Sequence, residues 1–302
     1  MLYGFIGLGN LGKHLAASLL QAGFDLTVHD LNRNAADPLL ERGAKWAASP
    51  RELASTVDAV ITCLPSPAAS AAVLTADNGV LNGLRAGGTW IEMSTTDQNE
   101  IERISRLAAA RGISTLESPV TGGVHRAAAG EITVLVGGDR AIYEMHLPAL
   151  TAMGGEIFYM GELGKACVIK VITNMLAFIH LVAAGEALML AKRGGLDMAQ
   201  AFAAIKASSG TSFVHETESQ LVLNGSYNIN FTMDLACKDL GFAYRYGREF
   251  GVPLELAGLT EQIFRRAREQ YGGSAQSTQV VKLLEDALHT DLRAPGFPAE
   301  LS

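Results

Sequence analysis

The segment Gly7-Leu8-Gly9-Asn10-Leu11-Gly12 follows a short apolar run, Leu2 to Ile6, and opens a stretch of helical spacing, Leu11 to Gln21, that ends at Gly23. A GxGxxG pattern alone is weak, because glycine is common. Placed between a strand and a helix it is a strong sign of a dinucleotide site. Gly7 permits the tight turn, Gly9 lets the backbone approach a pyrophosphate, and Gly12 lets helix and strand pack closely. The helix N-terminus adds unpaired N–H donors and a favourable dipole. The competing reading of residues 7–12 is an ordinary glycine turn.

The first half of the chain continues this alternation. Asp25 to Val28, Asp58 to Leu64, Gly88 to Met93, Ile113 to Glu117 and Ile132 to Val136 read as strands, with helical stretches such as Glu100 to Ala110 between them. That order predicts a parallel sheet with helices on both faces. Ligands of such sheets lie beyond the carboxyl ends of the strands. Asp30, which ends the second strand 18 residues after Gly12, is therefore placed to accept hydrogen bonds from the adenosine ribose. A carboxylate there also repels a 2′-phosphate. Leu31 stands where an NADP site would often hold arginine. These features favour NAD, while nearby Arg33 keeps NADP open. The other reading of Asp30 is a helix N-cap. Leu64-Pro65 and Ser94-Thr95 end later strands and are expected to line the same crevice; Ser94 could equally cap the following helix.

From Gly164 onward the pattern is almost wholly helical. Lys165 to Arg193 would span about 40 Å; it is apolar nearly all round, so burial between other helices is expected. Its length would also suit a bilayer, but it carries Lys170, Asn174, His180 and Glu186, and the reading is a soluble helix. Gly194-Gly195 stops it, and Asp197 caps the next helix, Met198 to Lys206. Asp234 to Phe250 and Leu254 to Tyr271 continue the pattern, and an irregular tail starts at Asp291. The expected division is 1–162 for dinucleotide binding and 163–302 for a helical substrate and oligomerisation domain.

The bulk properties narrow the partners. Apolar residues make up 48% of the chain and charged residues 18%, with a net charge of -7 and no Lys/Arg-rich stripe. Nucleic acid and membrane partners are therefore not expected. Cys63, Cys167 and Cys237 are scattered, show no metal-like spacing and suit a reducing, cytoplasmic setting. Met1 to Gly12 lacks a basic start and reads as a strand rather than a signal peptide.

A nicotinamide enzyme that oxidises a carbinol needs a proton acceptor. Lys170 is the candidate, since it sits near the start of an apolar helix. An ordinary lysine titrates near about 10.4, burial lowers that value, and a useful base works nearer about 7 to 8. Asn174, four residues on, shares its helix face and could orient the hydroxyl. The plainer alternative is a snorkelling lysine beside a surface asparagine. Thr121-Gly122-Gly123 offers a hydroxyl and glycine N–H groups as a seat for a carboxylate. His125 and Arg126 follow directly; Arg126 could read a second anion, or the pair could be solvated surface.

Together these residues resemble the β-hydroxyacid dehydrogenase family, which includes 3-hydroxyisobutyrate dehydrogenase and tartronate semialdehyde reductase. The match runs over nearly the whole chain. It is carried by Phe5 to Gly12, by Ser118-Pro119-Val120-Thr121-Gly122-Gly123 with Gly130 and Gly137-Gly138, by Gly161 to Gly164 followed by Lys170 and Asn174, and by Lys238-Asp239-Leu240. Thr121 stands where the family usually has serine. The resemblance implies an α/β Rossmann-type N-terminal domain with extra strands and an all-α C-terminal domain, joined by a long helix, with the active site between them. It implies Lys170 as general acid/base, Thr121, Gly122 and Gly123 at the carboxylate, Asn174 and Asp239 at the substrate, and Lys238 at cofactor or substrate. It also implies a homodimer or homotetramer. Related 6-phosphogluconate dehydrogenases carry His and Glu where Thr173 and Ala177 stand here, which argues against decarboxylation. Imine reductases usually lack the lysine. The open alternatives are a sulfonated aldehyde or a β-hydroxy amino acid as substrate, and a non-catalytic nucleotide-binding module.

Overall fold

The computed structural model describes residues 1–301 and separates into two compact units, Met1–Lys170 and Val171–Ser302. The division falls inside the long helix, beyond the 162/163 boundary expected from the sequence.

The first unit is built on nine strands: β1 (Tyr3–Ile6), β2 (Leu26–His29), β3 (Lys45–Trp46), β4 (Ala59–Thr62), β5 (Thr89–Glu92), β6 (Ser114–Glu117), β7 (Val120–Thr121), β8 (Ile132–Gly138) and β9 (Gly154–Gly161). They lie in one sheet in the order β3-β2-β1-β4-β5-β6-β8-β7, with β9 also pairing β8. The first six strands are parallel, as expected. β8 then runs antiparallel to both β6 and β7, and β9 is parallel to β8. These are the extra strands the resemblance implied, and they make the sheet mixed.

Both faces of the sheet are covered, so its central strands read as continuous apolar runs rather than alternating ones. Successive side chains go to opposite cores. Phe5, Ile61 and Ile91 join Leu15, Leu19, Leu150 and Met153 on one face. Ile6, Val60 and Trp90 join Leu53, Leu74 and Ile104 on the other.

β3 and β9 escape a sequence reading. β3 has only two residues, and β9 leaves Phe158 half exposed, so neither presents a buried apolar run. Pro67–Thr75, built of small mainly apolar residues, and Arg140–Met153, which contains Pro148, are among the helices between the strands.

The second unit is helical: Met198–Lys206, Phe213–Asn224, Met233–Phe250, Glu255–Tyr271 and Lys282–Leu288 follow the long helix Lys165–Arg193. Phe178, Leu181, Leu240, Phe264 and Val281 form its core. The cap reading holds at Asp197, whose carboxylate accepts from Gln200 N at 2.9 Å. The described tail, residues 291–301, has no regular element, yet it is pinned through Ala294 N, which donates to Leu223 O at 3.0 Å.

One expectation fails. The long helix is not buried all round: Val171, Phe178, Leu181 and Leu188 are buried, but Leu176 is 44% and Leu190 76% exposed. By length and composition it could cross a membrane, while it carries Lys170, Asn174, His180 and Glu186 and gives Phe178, Leu181, Leu188 and Met189 to the helical core.

Beneath β1, the buried Tyr3 hydroxyl meets His146 Nδ1 at 2.9 Å, while His146 Nε2 has no partner among the described residues. Burial lowers the His146 pKa from its ordinary 6.5 to about 4. The unfolded chain therefore takes up this proton at a higher pH than the folded one. The neutral imidazole's contribution is full above about pH 6.5 and is lost as pH falls toward about 4, at up to about 3 kcal/mol. Denaturant titrations across that window should show a steeper loss of stability in the wild type than in His146→Gln; parallel curves would exclude this origin.

Candidate active site

At the amino end of the first unit, the three glycines act for distinct steric reasons. Gly7 has φ +100°, and a Cβ there would stand 2.3 Å from Cys63 O. A Cβ on Gly12 would stand 1.9 Å from Gly7 O, so the Gly12–Gln21 helix can start here only with glycine. Among the described residues nothing lies within 4 Å of the corresponding position on Gly9. That open face is the side on which a pyrophosphate could approach the backbone, so the turn fits a dinucleotide.

Asp30 is tied to this turn. Its Oδ2 accepts from Leu8 N at 2.7 Å and its Oδ1 from Asn32 N at 2.8 Å. It is not a helix cap; Asn32 caps the short turn that follows. Each Asp30 oxygen keeps a second lone pair for a ribose hydroxyl. Leu31 is fully exposed. Arg33 is bound to Asp37 at 2.7 Å and lies 4.7 Å over the Trp46 ring, which leaves it engaged elsewhere.

The neighbouring strand ends are laced together. Leu64 N donates to Ser94 Oγ at 2.7 Å, and Ser94 N donates to Glu92 Oε1 at 2.8 Å. Ser94 is therefore not the cap of the next helix; Asp97 is, accepting from Glu100 N at 3.1 Å. Glu92 is buried, and burial pushes its carboxyl above the usual range against the pull of its hydrogen bonds. Pro65 and Thr95 adjoin these tied residues in the chain.

β6 runs through Ser118-Pro119 into β7, which carries Thr121, and Gly122 and Gly123 follow with φ +122° and +90°. The last residue of β6, Glu117, is wholly buried. Its Oε1 accepts from Ala166 N at 2.8 Å and its Oε2 from Cys167 N at 3.1 Å. These are two of the N–H groups that the first turn of the Lys165–Arg193 helix leaves unpaired. Burial raises the Glu117 pKa, while the hydrogen bonds and the helix N-terminus favour the charged form. Gly137 on β8 makes room for it, since a Cβ there would stand 2.3 Å from Glu117 Oε1. Lys170 follows Ala166 by one helical turn and is only 7% exposed. Glu117 thus links the strand leading to Thr121–Gly123 with the helix start that carries Lys170. The sequence reading overlooked it; the only signal was an acidic residue closing an apolar run.

In the second unit, Asn174 Nδ2 donates to Asp239 Oδ2 at 2.6 Å, and Lys238 Nζ contacts Asp239 Oδ1 at 2.8 Å. Asp239 is 1% exposed and Lys238 also lies over the Phe242 ring at 5.1 Å. Asp239 therefore holds the side chains of Asn174 and Lys238. Phe178 is buried against Phe231 and Phe264.

Residues 2–161 match the NAD-binding domain of 6-phosphogluconate dehydrogenase, and residues 164–284 match a domain described as the NAD-binding domain of NADP-dependent 3-hydroxyisobutyrate dehydrogenase. The chain belongs to the β-hydroxyacid dehydrogenase family. It is 31% identical to 2-(hydroxymethyl)glutarate dehydrogenase of Eubacterium barkeri, covering 93% of this chain and 94% of that one. It is 32% identical to L-threonate dehydrogenase of Cupriavidus necator, covering 93% and 95%. A crystal structure of 3-hydroxyisobutyrate dehydrogenase from Salmonella typhimurium superimposes with a TM-score of 0.87 at 31% identity, covering 94% and 99%. This chain is thus an NAD(P)-binding oxidoreductase that transfers hydride between its cofactor and a small hydroxyacid or the matching oxidised acid.

Substituting Gly137→Ala should displace the Glu117 carboxylate and destabilise the first unit by about 1–3 kcal/mol. Chemical denaturation checks this; a stability within about 0.5 kcal/mol of wild type would show that the carboxylate has room to move.

Proposed function

We propose that this β-hydroxyacid dehydrogenase uses Lys170 as its proton-transfer group. What supports the reading most is the burial of Lys170 one turn into a helix whose first N–H groups are held by Glu117. Bound NAD(P) supplies hydride acceptance or donation at its nicotinamide. In the oxidising direction, the neutral Lys170 Nζ takes the hydroxyl proton of the substrate while the C–H electron pair leaves as hydride. In the reducing direction Lys170 returns that proton to the forming alkoxide. Thr121, Gly122 and Gly123 hold the substrate carboxylate, and Asn174 orients the reacting hydroxyl. Lys238 reaches cofactor or substrate, and Asp239 keeps it and Asn174 in place.

The cofactor lies along Gly7, Leu8, Gly9, Asn10, Leu11 and Gly12, with Asp30 at the ribose and Leu64, Pro65, Ser94 and Thr95 along the crevice. Residues 1–162 serve this role, and 163–302 serve substrate binding and assembly. NAD would be preferred over NADP, because the Asp30 carboxylate beside the glycine turn would repel a 2′-phosphate and Arg33 is engaged with Asp37 and Trp46. The exposed apolar residues of the long helix, Ile172, Leu176 and Leu190, suit a homodimer or homotetramer in the cytoplasm.

Lys170→Ala should lower kcat by about 10²- to 10⁴-fold while NAD binding, followed by fluorescence titration, stays unchanged. Unaltered turnover would remove Lys170 from the mechanism. Wild-type enzyme should give a higher kcat/KM with NAD than with NADP; equal values would overturn the role given to Asp30. Light scattering should return two or four chains per particle.

A further inference from the structure

His125 and Arg126 stand directly after the Thr121–Gly123 turn, and both side chains fold back over it. A Cβ on Gly122 would stand 3.1 Å from Arg126 Cδ, and a Cβ on Gly123 would stand 3.1 Å from His125 Cε1 and Nδ1. Both residues are partly buried. Arg33, Arg85, Arg103, Arg140, Arg265 and Arg268 each sit on a carboxylate. Arg126 O accepts from Glu131 N at 2.8 Å, but its guanidinium makes no hydrogen bond or ion pair to another of the described residues. Burial and the Arg126 charge both lower the His125 pKa, so the imidazole is neutral near pH 7 and Arg126 is the charged member of the pair. A guanidinium without a protein counter-ion, laid along a turn that offers N–H groups, is a receptor for an oxyanion.

We propose that Arg126 forms a second anion subsite, so that the preferred substrate carries a further anionic group on its far end in addition to the carboxylate at Thr121–Gly123. This rests on the proposed carboxylate seat. The fork of the guanidinium presents paired donors to a second carboxylate or a sulfonate, and the neutral His125 covers Gly123 without adding charge. The glycines matter here beyond their φ angles: their missing side chains are what lets the two residues lie this close to the turn.

The test is a matched set of three substrates with one skeleton: 2-(hydroxymethyl)pentanoate, 2-(hydroxymethyl)glutarate and 2-(hydroxymethyl)-4-sulfobutanoate, assayed with NAD. The wild type should favour at least one dianion over the monoanion by about 10- to 100-fold in kcat/KM, the range of a charge-assisted hydrogen bond. The better dianion identifies whether carboxylate or sulfonate is read. Arg126→Gln should abolish the preference through KM while leaving the monoanion within about threefold and the NAD affinity unchanged. Arg126→Lys should restore part of it. A wild type without preference for either dianion would overturn the second subsite and leave the dehydrogenase reading intact. So would an equal loss for all three substrates in Arg126→Gln, which would place the guanidinium on the shared carboxylate. Absence of turnover with all three would overturn both.

Discussion

The carboxylate of Glu117, accepting from Ala166 N and Cys167 N, joins the end of β6 to the start of the long helix. A buried charge is tolerable only where donors replace water. Here the donors are the helix's own unpaired N–H groups, whose dipole also favours the anion. The arrangement satisfies two needs at once: the helix start is capped, and the end of β6 is fixed to it. Lys170 and the Thr121–Gly123 turn are each a few residues from that junction along separate segments of chain. Their relative placement is therefore set by a short linkage rather than by a long loop, as the proposed proton transfer would require.

Much of the architecture was legible because it rests on short-range steric facts. The glycine turn reads from sequence since each glycine has a separate reason to lack a side chain, and the close approaches at Gly7 and Gly12 bear that out. The long helix reads to the residue because Gly194-Gly195 ends it and Asp197 starts the next. β9 does not read, because a strand with exposed alternate residues has no apolar run to find. The sense of β8 against β6 is not written in local pattern at all; it is decided by tertiary pairing.

The candidate site divides along the same line. Motif residues such as Asp30, Lys170 and Asn174 could be singled out by type and spacing. Their partners could not. Leu8 N on Asp30, Ser94 on Leu64 N and Asp239 on Asn174 join positions far apart in the chain. For Ser94, local pattern suggested a helix cap, whereas the hydroxyl is used to tie two strand ends, and Asp97 takes the capping role. Polar side chains with several local options are where sequence reasoning is weakest, because the winning option depends on a distant backbone group.

The bond from Leu8 N to Asp30 has a consequence for protein engineering. The carboxylate that would choose the cofactor is also an internal brace of the glycine turn. Replacing it to admit a phosphorylated cofactor would remove a 2.7 Å acceptor from the backbone proposed to hold the dinucleotide, phosphorylated or not. Retuning cofactor choice in this scaffold is therefore a two-part design problem, in which a new acceptor for Leu8 N has to accompany the new cation.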